Sequence, residues 1–171
     1  MQATISPNVL IRRMLVQDLD IVAKIEREVA VDPWDQKLFN SCLNIYDAVV
    51  AVAHDTRSNA VSVIGFGIVA IYGSIQEAHI LNLGVDASWH RMGIGGELLG
   101  YLINICTSAV HDLQHDLIHT NQCKIFLEVN SHNQAAISLY SKFNFTQVGV
   151  RKNYYNVNGV KQDALTFMLQ V

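Results

Sequence analysis

The sequence predicts an α/β domain built on a mixed, mostly antiparallel sheet, with elements in the order βααβββαβαββ and a parallel step across a long central helix. Three observations predict it. Apolar runs of strand length alternate with stretches of helical periodicity from end to end. Three consecutive strands in the first half are joined by turns alone, which makes them antiparallel. The long helix has a strand on either side, and a crossover of that length joins parallel neighbours.

The elements follow in order. Residues 11–15 read as a short apolar strand. Asp18 is placed to cap a helix carrying Ile21, Ile25 and Val29 on one stripe. "DPW" at 32–34 ends that helix, and Asp35 caps a shorter one running through Leu43. Strands are expected at 48–54 and 61–71, with "HDTRSNA" as the turn between them, and at 77–85. Leu98, Leu99, Leu102, Ile103, Cys106 and Val110 mark the long amphipathic helix. "KIFLEV" is a short buried strand, 133–142 a helix, and 146–154 and 163–169 the last two strands.

Composition narrows the function. The 171 residues suit one domain spanning 1–171, large enough to bury roughly 70% of the surface its unfolded chain exposes. A net charge of −3 supplies no basic stripe, so direct nucleic-acid binding is not expected and any phosphate site must be local. Cys42, Cys106 and Cys123 follow no metal spacing or CxxC pattern, which suits free thiols in a reducing compartment. The first residues lack the pattern of a signal peptide. The longest apolar run, 61–75, is β-branched, holds three glycines and is too short for a membrane span. A cytoplasmic protein with no membrane association is therefore expected.

The stretch "HRMGIGG", residues 90–96, sits between a strand and the long helix. It lacks the Gly-Lys-Ser/Thr ending of a Walker loop, and neither its place in the chain nor the residues after it fit a dinucleotide-binding unit. Glycines at 93, 95 and 96 nevertheless let consecutive backbone N–H groups at a helix start face one concavity, where the helix dipole favours an anion. A pyrophosphate fits there without a lysine or a metal, with Arg91 adding charge at the edge.

The spacing of residues 90–95 resembles the acetyl-coenzyme A loop of the GNAT acyltransferases, Arg/Gln-x-x-Gly-x-Gly/Ala, with His90 in the first position. "HILNLGVDASWHRMGIGGELL" and "IFLEVNSHNQAAISLYSKFNFTQVGVRKNYY" are similar to the bacterial RimI type, the N-terminal alanine acetyltransferases acting on a ribosomal protein. "DPWDQKLF" and "DALTFMLQV" extend the likeness over the whole chain. The departures are His90, Ala87 for a frequent proline, Asn130 for an arginine, and Asn144 for a glycine, whose positive φ asparagine tolerates.

Transfer of an acetyl group from a thioester to an amine needs a neutral amine, a donor for the developing oxyanion and a proton for the departing thiolate. Glu128, a carboxylate ending an otherwise apolar strand, is the candidate general base, acting through a water. The resemblance implies the GNAT fold and acetyl-CoA as cosubstrate, with no metal. It makes Tyr140 the general acid toward the coenzyme sulfur. It sets the coenzyme against Leu83, Val85, His90, Arg91, Met92, Gly93, Ile94, Gly95, Gly96, Asn133 and Tyr140, with the oxyanion at a backbone N–H near Val85, where adjacent strands splay and Gly84 eases the distortion. His90 offers a way for coenzyme affinity to depend on pH near about 6.5.

Asp32, Trp34, Tyr154 and Tyr155 are the candidate peptide-binding wall. The acceptor implied is the N-terminal α-amine of a protein, a small-subunit ribosomal protein, with the enzyme a monomer or weak homodimer. An α-amine with a pKa of about 7.7 to 8.0 suits one carboxylate base better than a lysine near 10.4. Acetylation of a lysine or small amine is the rival activity, and a silent acetyl-CoA-sensing or partner-binding domain is the rival of another class. His111, His115 and His119 repeat at i, i+4 and i+8, a spacing open to metal ligation, but the transfer needs no metal and none is assigned. Cys123 reads as a buried thiol and not a nucleophile.

Overall fold

The computed structural model describes residues 8–54, 59–112 and 122–171. Its elements are β1 (Asn8–Arg13), α1 (Leu19–Val29), α2 (Gln36–Cys42), β2 (Asp47–His54), β3 (Val61–Tyr72), β4 (Glu77–Val85), α3 (Ile94–Asp112), β5 (Lys124–Asn130), α4 (Gln134–Lys142), β6 (Thr146–Val157) and β7 (Val160–Gln170). Among the described residues the strands form one sheet in the order β1-β2-β3-β4-β5-β7-β6. Every neighbouring pair is antiparallel except β4 and β5, which run parallel across α3 as the sequence predicts.

Helices cover both faces of the sheet's middle, and β2 and β3 between them are near-continuously apolar for that reason. Val49, Ala51 and Ala53 of β2 face a core built with Leu98, Leu99, Leu102 and Cys106 of α3 and Tyr140 of α4. Ala48, Val50 and Val52 face the opposite core, where Val22 and Ile25 of α1 and Phe39 of α2 meet Phe66 and Ile68 of β3. Two bulges adjust the alternation. Ile64 is the extra residue against β2, and Leu81 the extra residue of β4 against β3.

Four expectations need correction, the first being that the strand expected at 11–15 lies at Asn8–Arg13. Asp18 does not cap α1, because its carboxylate is taken by the Leu15 N–H at 2.8 Å and by the Arg12 guanidinium at 2.6 and 2.8 Å. These contacts hold the Asp18 carboxyl below its usual range against the opposing effect of burial. Ile21 is 43% exposed, and the buried stripe of α1 is Leu19, Val22, Ala23, Ile25 and Glu26. Strands β6 and β7 run further than expected and meet in a two-residue turn at Asn158 and Gly159, with φ of 51° and 82°. Asp35 caps α2 as expected, accepting the Leu38 N–H at 2.8 Å. Asn144 takes its expected positive φ of 63°. His115, His119 and much of "HDTRSNA" lie outside the described residues, as does the side chain of His111.

Candidate functional site

The site is made by two strands that part. Strands β4 and β5 pair from Glu77 opposite Lys124 to Ile80 opposite Leu127, and the register ends there. Leu81–Val85 and Glu128–Asn130 therefore diverge, leaving a gap in the sheet. The Asp86 N–H bonds Ile64 O of β3 at 2.9 Å. By the alternation of strand backbone, the N–H and C=O of Val85 face the gap. The Val85 carbonyl accepts a hydrogen bond from His90 Nε2 at 2.8 Å, so His90 carries its proton on Nε2 and ties the glycine loop to the end of β4. Gly84 serves another purpose than easing this divergence. A Cβ there would lie 2.5 Å from the Phe66 ring, so the glycine lets β3 and its aromatic pass. The irregularity of β4 is at Leu81.

The glycine loop opens beside the gap. Arg91 and Gly93 adopt φ of 60° and 89°, and the backbone N–H groups of Arg91, Met92, Gly93, Ile94 and Gly95 have no acceptor among the described residues. Gly96 and Glu97 donate to Gly93 O at 2.9 and 3.1 Å and start α3. A Cβ on Gly95 would meet Leu139 at 3.4 Å, so α4 closes one side of the loop. Unpaired donors at the N-terminus of a 19-residue helix make a backbone cradle for an anion.

Glu128 and Tyr140 stand on opposite faces of the sheet, with the gap between them. Ile125, Leu127 and Val129 point into the core under α3 and α4, so Glu128 points to the face of α1 and α2. Both of its oxygens accept from Arg151 Nη1, at 2.9 and 3.0 Å. Tyr140 is buried on the α4 side against Phe145 and Phe167. Burial pushes its pKa up to about 12, with the charge of Tyr155 adding to the effect. Tyr155 is likewise pushed up to about 12 by burial, with Tyr154, Glu128 and Asp32 contributing in that order. Asp32, Glu128, Arg151, Tyr154 and Tyr155 thus share one electrostatic neighbourhood.

A bulge arranges the aromatic wall. Strand β6 pairs Arg151 with Ala164 and then Tyr155 with Gln162, so Lys152, Asn153 and Tyr154 stand against Asp163 alone. Asp163 fastens the bulge, accepting from Lys152 Nζ at 2.7 Å and from the Asn153 N–H at 3.0 Å. The Arg151 guanidinium lies 4.3 Å from the Tyr154 ring centroid, and Tyr154 meets Tyr155 edge to face at 5.0 Å.

A model of the acetyltransferase (GNAT) family matches residues 19–145. The chain is a GNAT acetyltransferase. It is 27% identical over 154 residues to the ribosomal protein bS18-alanine N-acetyltransferase of Escherichia coli K12, covering 90% of this chain and 92% of that one. It is 30% identical over 156 residues to the N-alpha-acetyltransferase RimI of Mycobacterium tuberculosis, covering 87% and 84%. The crystal structure of the Escherichia coli S18-alanine enzyme superposes with a TM-score of 0.76 at 26% identity, over 95% and 94% of the two chains. Arabidopsis thaliana NAA60 in complex with acetyl-CoA shares the fold, with a TM-score of 0.77 at 22% identity over 96% and 99%.

Acetyl-CoA is the acetyl donor of this family and of this acetyltransferase. The five unpaired N–H groups at the start of α3 fit its pyrophosphate. Asn133 stands at the start of α4, where its Oδ1 caps the helix through the Ala136 N–H at 3.1 Å. Trp34 is half core, its ring 5.5 Å from Phe39, whereas Asp32 is exposed in the loop between α1 and α2. Asn130 is turned inward, donating to Gln162 Oε1 at 2.6 Å and accepting the His132 N–H at 2.8 Å. Among the described residues no group of three His, Cys, Asp or Glu is placed to hold a metal ion, and no helix is long and apolar enough to cross a membrane.

Sequence reasoning gave no part to Arg151 or Glu26. Arg151 opens the "RKNYY" stretch, and its pairing with Ala164, which in turn faces Asn130, sets its side chain on the same face as Glu128. Glu26 had a visible signal. It lies four residues after Val22 and seven after Leu19, on the buried stripe of α1.

Proposed function

We propose that this acetyltransferase modifies the N-terminal α-amine of a protein, a small-subunit ribosomal protein, with Glu128 as general base and Tyr140 as general acid. The observation that carries the proposal is the placement of these two side chains on opposite faces of one gap, beside the glycine loop. Relatives named as acting on ribosomal protein bS18, matched over nearly their whole length, support the choice of acceptor. Three buried thiols, all free, suit a cytoplasmic enzyme.

Bound acetyl-CoA supplies a thioester whose acyl group is open to attack by an amine. Glu128 receives the proton of the acceptor ammonium through a water, since a charged amine is no nucleophile. The Val85 N–H, facing the gap, donates to the acyl oxygen as negative charge grows there. Tyr140, whose raised pKa keeps its phenol protonated, gives that proton to the departing sulfur. Asp32, Tyr154 and Tyr155 line the acceptor's approach on the Glu128 side, with Trp34 setting the backbone of the loop. An α-amine needs roughly 3 to 4 kcal/mol less than a lysine to lose its proton at neutral pH, which matches a single carboxylate base.

The test is a purified-enzyme assay with N-terminal peptides, lysine peptides and polyamines as competing acceptors, joined to mass spectrometry of protein N-termini in cells with and without the chain. One ribosomal N-terminus losing its acetyl group is the expected result. Turnover confined to polyamines or lysines, with every N-terminus unchanged, would overturn the acceptor.

A further inference from the structure

Glu26 is 2% exposed, yet it has no cationic partner among the described residues. Its Oε1 accepts two hydrogen bonds, from the Trp34 N–H at 3.1 Å and from Asn82 Nδ2 at 3.0 Å. Its Oε2 is buried with no partner among the described residues. Burial pushes its pKa up, and the two hydrogen bonds pull against that. Such a group is costly to keep in a core where an apolar side chain of similar volume would pack. Its position suggests what the cost serves. Trp34 belongs to the loop between α1 and α2 that also carries Asp32. Asn82 follows the bulged Leu81 in the part of β4 that leaves β5. The bulge is what aims it, because the extra residue turns Leu81 and Asn82 to the same side, toward α1.

We infer that Glu26 is a positioning residue that fixes the acceptor loop to the diverging end of β4, so that the amine meets the acetyl group at reacting distance. It touches neither reactant. Through Oε1 alone it joins the backbone that shapes the acceptor side to the strand whose Val85 N–H faces the gap. The inference rests on the proposed function only in taking residues 32–34 as the acceptor side.

The test compares Glu26→Gln, Glu26→Ala and Asn82→Ala with the unaltered enzyme. The readouts are kcat and KM for whichever amine that enzyme accepts, the Kd for coenzyme A, and the melting temperature. Glu26→Gln keeps the oxygen acceptor and should retain activity within about threefold. Glu26→Ala and Asn82→Ala should each lower kcat/KM for the amine by roughly tenfold or more, since small misplacements cost that much, with the coenzyme Kd within about twofold. Glu26→Ala acting as fully as the unaltered enzyme would overturn the inference. So would amine turnover and coenzyme affinity falling together in step with the melting temperature. If Glu26→Ala does not fold, Glu26→Gln and Asn82→Ala still decide, because a positioning role requires the first to work and the second to fail. An enzyme that acetylates only polyamines would sink the N-terminal acceptor while leaving the Glu26 series readable on polyamines.

Discussion

Arg151 Nη1 donates to both carboxylate oxygens of Glu128, at 2.9 and 3.0 Å, while its guanidinium stacks on Tyr154. In the free protein the proposed base is thus held by a cation from β6. An acceptor bringing its own ammonium must take that cation's place. Arg151→Ala should therefore lower KM for a cationic N-terminal peptide at low salt, with the difference fading as ionic strength rises. The melting temperature should hardly move, because the pair is exposed. Steady-state kinetics at two salt concentrations checks this, and a raised KM would show that Arg151 helps to bind the acceptor.

Glu128→Gln and Tyr140→Phe remove one proton acceptor and one proton donor with little change of shape. Each should reduce kcat by about a hundredfold or more and leave coenzyme affinity nearly intact. Single-turnover assays and calorimetry separate the two quantities. Undiminished acetylation in both variants would rule out the proposed mechanism.

Alkaline stability follows from the buried phenols and thiol. Tyr140, Tyr155 and Cys106 are all pushed up to about 12, chiefly by burial. In the unfolded chain a tyrosine titrates near 10 and a cysteine near 8.5. A folded pKa above the unfolded one means that stability is fully present below the unfolded value and is lost as pH climbs through the folded value. Denaturant midpoints should thus fall from about pH 9 toward pH 12. Tyr140→Phe, having no phenol to ionise, should lose less stability above pH 10 than the unaltered chain does; equal losses would remove Tyr140 from this account.

His90 stands where related loops carry arginine or glutamine, and its Nε2–H holds the Val85 carbonyl. Both the Nε2 tautomer and the imidazolium carry that proton, so acidification should not release the loop. His90→Gln keeps a donor and should bind coenzyme A nearly as well, whereas His90→Ala should bind several-fold more weakly, consistent with about 1 kcal/mol for one hydrogen bond. Titrations at pH 6 and pH 8 check both statements, and a marked loss of affinity at pH 6 in the unaltered protein would contradict them.

The element order and the glycine loop were legible because both depend on local pattern. A β-branched run cannot read as a helix, and glycines before a helical stripe state their backbone conformation. The Asn158-Gly159 turn is a strong short-range hairpin signal that the sequence reading passed over, because the strand leading into it is mostly polar. β6 is mostly exposed, so its residues carry little apolar alternation. Glu128 drew notice as a candidate base because a carboxylate stood out on an apolar strand. Arg151 and Asn82 were missed for different reasons. Arg151 meets Glu128 across β7, in a register that no single strand's composition states, whereas Asn82 is aimed by the bulge at Leu81, where an inserted residue shifts every later side chain to the other face without altering the composition.

The short parallel register between β4 and β5 has a mechanical meaning. Among the described residues the sheet itself joins the half holding β1 to β4 to the half holding β5 to β7 through four residue pairs. Every other neighbouring pair has a longer seam. Under tension, or in amide exchange, the molecule should open along this line first, as two rigid leaves of one folded page. A ligand lying across the opening would bind the leaves together, so its grip on the protein and the protein's resistance to unzipping should rise as one quantity.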